Sequence, residues 1–201
     1  MSRPEDNLYD KQLSRAISEI NELCRELTHC QKCTHGPAVP VIGSGHPLAD
    51  IFLVKYHTLP SETSEGVAFF GRAGEAVMKS CQKLGIDSLI LYGTNIIKCA
   101  SVPEEAALQH CPLYLVRELM MVQPKMVVIM GENSLAAFNR LNFPLAQKIE
   151  FEPGKVQPLT PTAEALVTPE IDTSLNDQRQ KTSFWRAFKV LGEWYESLPP
   201  Y

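Results

Sequence analysis

Apolar residues near the start of the chain recur at helical spacing: Leu13, Ile17, Ile20, Cys24 and Leu27 are separated by alternating steps of four and three. That pattern predicts an amphipathic helix over residues 8–28, ending just before CQKC. The period then changes. Four short apolar runs have the length of strands: IFLV from Ile51, LILY from Leu89, MVVIM from Met126 and ALV from Ala165. Helical patterns bound the first three, with GEAVMKSCQKLG after the first, PLYLVRELMMVQ before the third and NSLAAFNRL after it. Strands alternating with such helices need crossover connections. They predict an α/β chain with three layers, α/β/α, around a central, mainly parallel four-stranded sheet. A last pattern, with Phe184, Phe188, Leu191 and Tyr195, predicts a closing helix over residues 183–198, capped at Thr182 or Ser183. Residues 148–162 and 170–181 read as loops.

In such sheets the chemistry lies beyond the carboxyl ends of the strands. This directs attention to residues 55–74, 93–99, 131–134 and 168 onward. At the first of these ends the chain leaves the strand through Lys55, Tyr56 and His57.

Composition narrows the classes. A chain of 201 residues with 44% hydrophobic content is expected to form one domain over residues 1–201 with a substantial core and no membrane span. Its first residues carry charges of both signs and no apolar run of the signal-peptide type, so a cytoplasmic protein is expected. The net charge of −4 supplies no global attraction for phosphate, so DNA would need a local basic cleft and a protein partner is equally open.

Six cysteines in such a chain read as thiols or metal ligands rather than disulfides. Cys30 and Cys33 form a C-x2-C pair, Cys99 follows the second strand, and Cys111 stands at the start of a helical pattern. Together they can make a four-sulfur site in the region 30–111, and zinc and a [4Fe-4S] cluster both accept four thiolates. Cys24 and Cys81 fall on apolar helix faces and read as core.

With CQKC, GVAFFGRAG (Gly66 to Gly74), TNIIKC (Thr94 to Cys99), Cys111 and the closing helix, the chain resembles the iron-sulfur uracil-DNA glycosylases of the family 4 type. The match runs from about the first cysteine pair to the end. It implies the uracil-DNA glycosylase fold, DNA repair and DNA binding, and it favours [4Fe-4S] over zinc, although the interval from Cys99 to Cys111 is shorter than the family's. It also implies that Phe69 stacks on an extruded base, that Asn95 offers its amide to the base edge, and that Gly71 and Gly74 allow close backbone approach to phosphate or to the next helix.

The same resemblance exposes departures. Counted back from Phe69, the family's G-E-x-P-G falls on residues 55–59, so its acid is replaced by Tyr56, a bulky residue expected to fill or narrow the pocket. The family's H-P falls on Thr168 and Pro169, so the expected histidine is a threonine. His57 is the candidate substitute. In the segment after Thr168, Leu175 is a candidate wedge, while Glu170 and Asp172 would repel phosphates that Arg179 and Lys181 only partly attract. The expected function is a uracil-DNA glycosylase-like iron-sulfur protein with lost or strongly reduced base excision, acting as a nucleic-acid- or protein-binding module. The alternatives are an active glycosylase with a non-standard residue set and a zinc-stapled structural protein.

Overall fold

A computed structural model describes residues 4–33, 39–100 and 102–199. Period-two alternation along the strands decides which core each side chain enters. In β2 (Ile51–Lys55), Phe52 and Val54 face one hydrophobic cluster, and Ile51 and Leu53 face the other. The division repeats in β3 (Leu91–Asn95), β4 (Met126–Met130) and β6 (Glu164–Thr168). These four strands pair in parallel. Two short antiparallel edges, β1 (Ser44–Gly45) and β5 (Val156–Pro158), complete the order β1-β3-β2-β4-β6-β5.

One face is covered by α4 (Glu104–Val122) and α5 (Glu132–Phe138), which contribute Leu115, Leu119, Leu135 and Phe138. Outside them, α1 (Pro4–Thr28) packs Leu23 and Leu27 against Tyr114 of α4. The opposite face is covered by α3 (Arg72–Lys83) and α7 (Gln178–Glu196), through Val77, Cys81, Phe184, Phe188 and Leu191. The result is a three-layer α/β/α arrangement. Two short helices, α2 (Pro60–Glu65) and α6 (Ile171–Ser174), follow β2 and β6. Among the described residues no helix is long and apolar enough to cross a membrane.

The differences from the sequence pattern have local causes. The Asp87 carboxylate accepts from the Leu89 backbone N–H at 2.9 Å and turns residues 88–90 into a 3₁₀ helix, so the strand begins at Leu91 instead of Leu89. Helix α4 begins at Glu104 and carries Pro112 in its interior, which puts Cys111 two turns in rather than at the start. The span 170–181 is mostly helical. Glu170 caps α6 through the backbone N–H groups of Asp172 and Thr173, and Asp177, five residues ahead of the expected cap at Thr182, accepts from Gln180 N at 2.8 Å. The proline-rich span 148–162 contains β5, a strand too short to carry a pattern.

Candidate functional site

The last residue of β2 points the wrong way for a lysine. Lys55 follows Ile51 and Leu53 on the same sheet face, so its side chain enters the protein and is fully buried. A buried ammonium needs compensation, and three acceptors provide it: His57 O at 2.8 Å, Glu62 Oε2 at 2.9 Å and Asp172 Oδ2 at 3.0 Å. All three ammonium protons are thereby engaged.

Glu62 is the hub. It is fully buried on α2 and accepts from Lys55, from Leu59 N at 2.8 Å, from Phe69 N at 2.5 Å and from the Asn95 amide at 3.3 Å. This uses the full acceptor capacity of a carboxylate. It also fixes Phe69, whose backbone sits at φ 61°, a conformation costing about 1–3 kcal/mol in a non-glycine residue. Gly74 and Gly93 make room for that residue: a Cβ on Gly74 would lie 1.8 Å from Phe69 O, and one on Gly93 would lie 2.7 Å from the Phe69 ring. The Lys55 ammonium stands over the Phe69 ring at 6.0 Å from its centroid.

At the end of β3, Asn95 is fully buried. Its Nδ2 donates to Thr58 Oγ1 at 3.0 Å and to Glu62, while Thr58 donates onward to Ile97 O at 2.6 Å. Both amide protons are therefore taken, and Asn95 Oδ1 is left buried without a partner. Asp172 Oδ1 is in the same condition. Phe69, Asn95, Glu62, Lys55 and Asp172 thus form one connected group at the carboxyl end of the parallel strands.

Tyr56 is not in that group. Being one residue on from Lys55, it enters the opposite core, and its phenol donates to Glu104 Oε1 at 2.5 Å. Burial, reinforced by Glu104, pushes that phenol up to about 12. The side chain filling the space under Phe69 is Lys55, not Tyr56. His57 is exposed, its ring edge against Tyr56 at 4.6 Å between centroids. Thr168 is fully buried, and its hydroxyl donates to Pro169 O at 2.9 Å. Leu175 is partly buried against the core shared with α3 and α7. Gly71 precedes α3 at φ 91°, and Gly74 is pressed on the Phe69 carbonyl. The two acids expected to repel phosphate are committed internally, Glu170 as a cap and Asp172 to Lys55.

The four cysteines lie on the side of α1 and α4. Cys30 follows α1, its N–H donating to Leu27 O at 3.0 Å, and Cys99 follows β3, bridged to Pro40. Burial, then the thiols of Cys111, Cys30 and Cys33, push the Cys99 thiol up to about 12. Burial also raises the Cys111 thiol, opposed by the backbone N–H of Lys98 and added to by Cys33 and Cys30. The four thiols therefore share one neighbourhood. Among the described residues, however, no group of three or more His, Cys, Asp or Glu side chains is gathered tightly enough to hold a metal ion. Four thiols are a donor set that both a [4Fe-4S] cluster and zinc accept.

Beneath the thiols lies a second buried ion pair. Lys98 donates to Glu118 Oε2 at 2.5 Å and to Thr94 Oγ1, and Glu118 accepts further bonds from Thr94 at 3.0 Å and Tyr92 at 3.2 Å.

The model of the Uracil DNA glycosylase superfamily matches residues 49–191, well over half of the chain and all of the central strands. The chain belongs to the uracil-DNA glycosylase superfamily. Within it, the chain is similar to the Type-4 uracil-DNA glycosylase of Sulfurisphaera tokodaii, at 30% identity over 127 residues, 59% of this chain and 57% of that protein. It is 30% identical over 125 residues to the Type-4 uracil-DNA glycosylase of Archaeoglobus fulgidus, covering 57% of this chain and 61% of the other. A third, from Pyrobaculum aerophilum, is 25% identical over 145 residues, 68% of this chain and 73% of its own. The chain thus spans less than two thirds of the length of the first two relatives.

For a member of this superfamily, sequence reasoning passed over Glu62 and missed the roles of Lys55, an inward ammonium, and of Asp172, its partner. A signal for the lysine was present: period two from Ile51 and Leu53 makes Lys55 an inward lysine, which demands an acid. Nothing in the sequence said which acid. Asp172 is 117 positions away.

Proposed function

We propose that this superfamily member carries a [4Fe-4S] cluster on Cys30, Cys33, Cys99 and Cys111 and has lost, or nearly lost, base excision. It then serves as a binding module for nucleic acid or protein. The observation that carries this reading is the position of the Lys55 ammonium. Two stacked rings keep their centroids about 4.5–7 Å apart, and the ammonium lies over one face of the Phe69 ring at 6.0 Å from its centroid, the distance a base stacked on that face would take. Glu62 and Asp172 pin it there. A base and this ammonium are alternatives.

The chemistry expected of the family is thin at the corresponding positions. A positioned acid or base is worth ~10²–10⁴ in rate and a donor aimed at developing charge ~10²–10³, and such groups are not additive. At the acid's position Tyr56 turns its phenol to Glu104. At the histidine's position Thr168 spends its proton on Pro169. The cluster, when bound, supplies folding free energy and ties α1 to α4.

Single-turnover incubation of the iron-loaded protein with single- and double-stranded DNA containing uracil, hypoxanthine or xanthine tests this reading, and no base above the no-protein control is expected. Release above that control overturns it. The unpaired Asn95 Oδ1 favours a second reading, in which Lys55 swings aside and an N–H of the base takes the vacant acceptor. The same assay gives release in that case. Iron, sulfide and the visible spectrum test the metal, and a colourless anaerobic preparation with one zinc per chain removes the cluster.

A further inference from the structure

Lys55 is a primary amine held in the place of a base. Its ammonium lies over one face of the Phe69 ring at 6.0 Å, the distance of a stacked ring. A nucleotide that still carries its base is kept from that face. One that has lost its base is not, because its sugar presents C1′ toward the place the base has left, and the nitrogen of Lys55 stands there. The C1′ of such a sugar opens to an aldehyde, and an aldehyde is what a lysine amine takes in a Schiff base.

Two acids hold the ammonium, and they are not equivalent. Glu62 is saturated by Lys55, Leu59 N, Phe69 N and the Asn95 amide. The Asp172 carboxylate accepts, among the described residues, only from Lys55, at 3.0 Å through Oδ2, and its Oδ1 is buried without a partner. Asp172 is thus the acid with room for a proton from the ammonium. Its side chain is 18% exposed while that of Lys55 is not exposed at all, so Asp172 touches both the amine and solvent. One side chain stands between the nitrogen and the outside. Asn95 Oδ1 is a second buried acceptor in want of a donor. Opening of the sugar ring frees a hydroxyl at C4′, which is such a donor.

We propose that Lys55 forms a Schiff base with the C1′ aldehyde of an abasic deoxyribose in a DNA strand, Asp172 carrying the proton. Asp172 takes one proton from the ammonium, and the freed lone pair of Nζ attacks C1′. A proton then passes from nitrogen to the former aldehyde oxygen, giving a carbinolamine. Asp172 returns its proton to that hydroxyl, which leaves as water while the C–N bond becomes double. The iminium keeps the single positive charge of the ammonium, so Glu62 and Asp172 still face a cation and neither acid is left uncompensated. The step consumes no oxidant or reductant. It rests on the reading of the chain as a binding module and names what that module grips.

Incubation of the iron-loaded full chain with an end-labelled oligonucleotide carrying a preformed abasic site, in sodium cyanoborohydride, tests it. The hydride reduces the imine to a stable amine. A labelled adduct is expected on a denaturing gel, and peptide mass mapping is expected to place it on Lys55. Lys55→Arg, which keeps the charge without a primary amine, is expected to abolish that adduct. Asp172→Asn is expected to slow trapping by about tenfold or more while leaving the adduct on Lys55. No adduct, an adduct mapped to another amine, undiminished trapping in Lys55→Arg or an unchanged rate in Asp172→Asn would each overturn the proposal. Equal labelling by free 2-deoxyribose 5-phosphate at the same concentration would do so too, assigning the amine to a small sugar aldehyde. Because the abasic site is supplied ready-made, base release from intact DNA sinks only the preceding reading. A missing adduct sinks only this one.

Discussion

Two lysines at the ends of neighbouring strands are buried in ion pairs, and they are buried differently. Lys98, just past β3, meets Glu118 of α4 in a cluster that Thr94 and Tyr92 complete, and no side-chain atom of that cluster lacks a partner. Lys55, at the end of β2, draws its acceptors from its own turn, from α2 and from α6, and the group around it leaves Asn95 Oδ1 and Asp172 Oδ1 unpaired. A closed polar cluster between packed elements holds a scaffold together. A cluster with spare acceptors and a strained neighbour, here Phe69, belongs to a place where something else is meant to fit.

The comparison breaks most readily at Glu118. Glu118→Leu strands the Lys98 ammonium in the core, and urea unfolding is expected to show a loss of about 3–5 kcal/mol. Adding Lys98→Met should recover much of it. Next come the thiols: serine at Cys99 or at Cys111 is expected to lower iron content and melting temperature together, since cluster binding contributes to folding. Unchanged values in both variants would dissolve the proposed site.

Lys55→Met is expected to cost less than Glu118→Leu, about 1–3 kcal/mol, because Glu62 keeps the N–H donors of Leu59, Phe69 and Asn95. If urea unfolding gave equal losses for the two, the contrast between the clusters would be empty. Asp172→Asn should cost about 1 kcal/mol, its side chain being 18% exposed.

The smallest effect is confined to alkali. The Tyr56 phenol titrates near 12 in the fold and about 10 when unfolded. Its contribution is therefore complete below about pH 10 and lost as pH rises toward 12. Wild type is expected to lose stability more steeply than Tyr56→Phe across that window, as read by denaturant midpoints. Parallel curves would mean that the phenol is not held by Glu104.

The parallel centre of the sheet was legible because Ile51, Met126 and Ala165 head apolar runs between helical patterns. The β5 strand was not, since three residues ending in Pro158 have no period. Asp177, three residues before Gln180, carries a helix-start signal that the apolar residues from Phe184 onward outweighed. Phe69 and Asn95 stand out by the motifs around them. The ring of contacts that positions them does not, because Glu62 and Asp172 meet Lys55 only after the chain has folded across the sheet.

The bridge from Lys55 to Asp172 joins the second strand to a short helix that follows the last one. Any visitor that displaces the ammonium must also cut that tether, so the place of the ammonium and the posture of the helix cannot vary separately. A reporter attached to α6 would register an event beneath Phe69 without touching it.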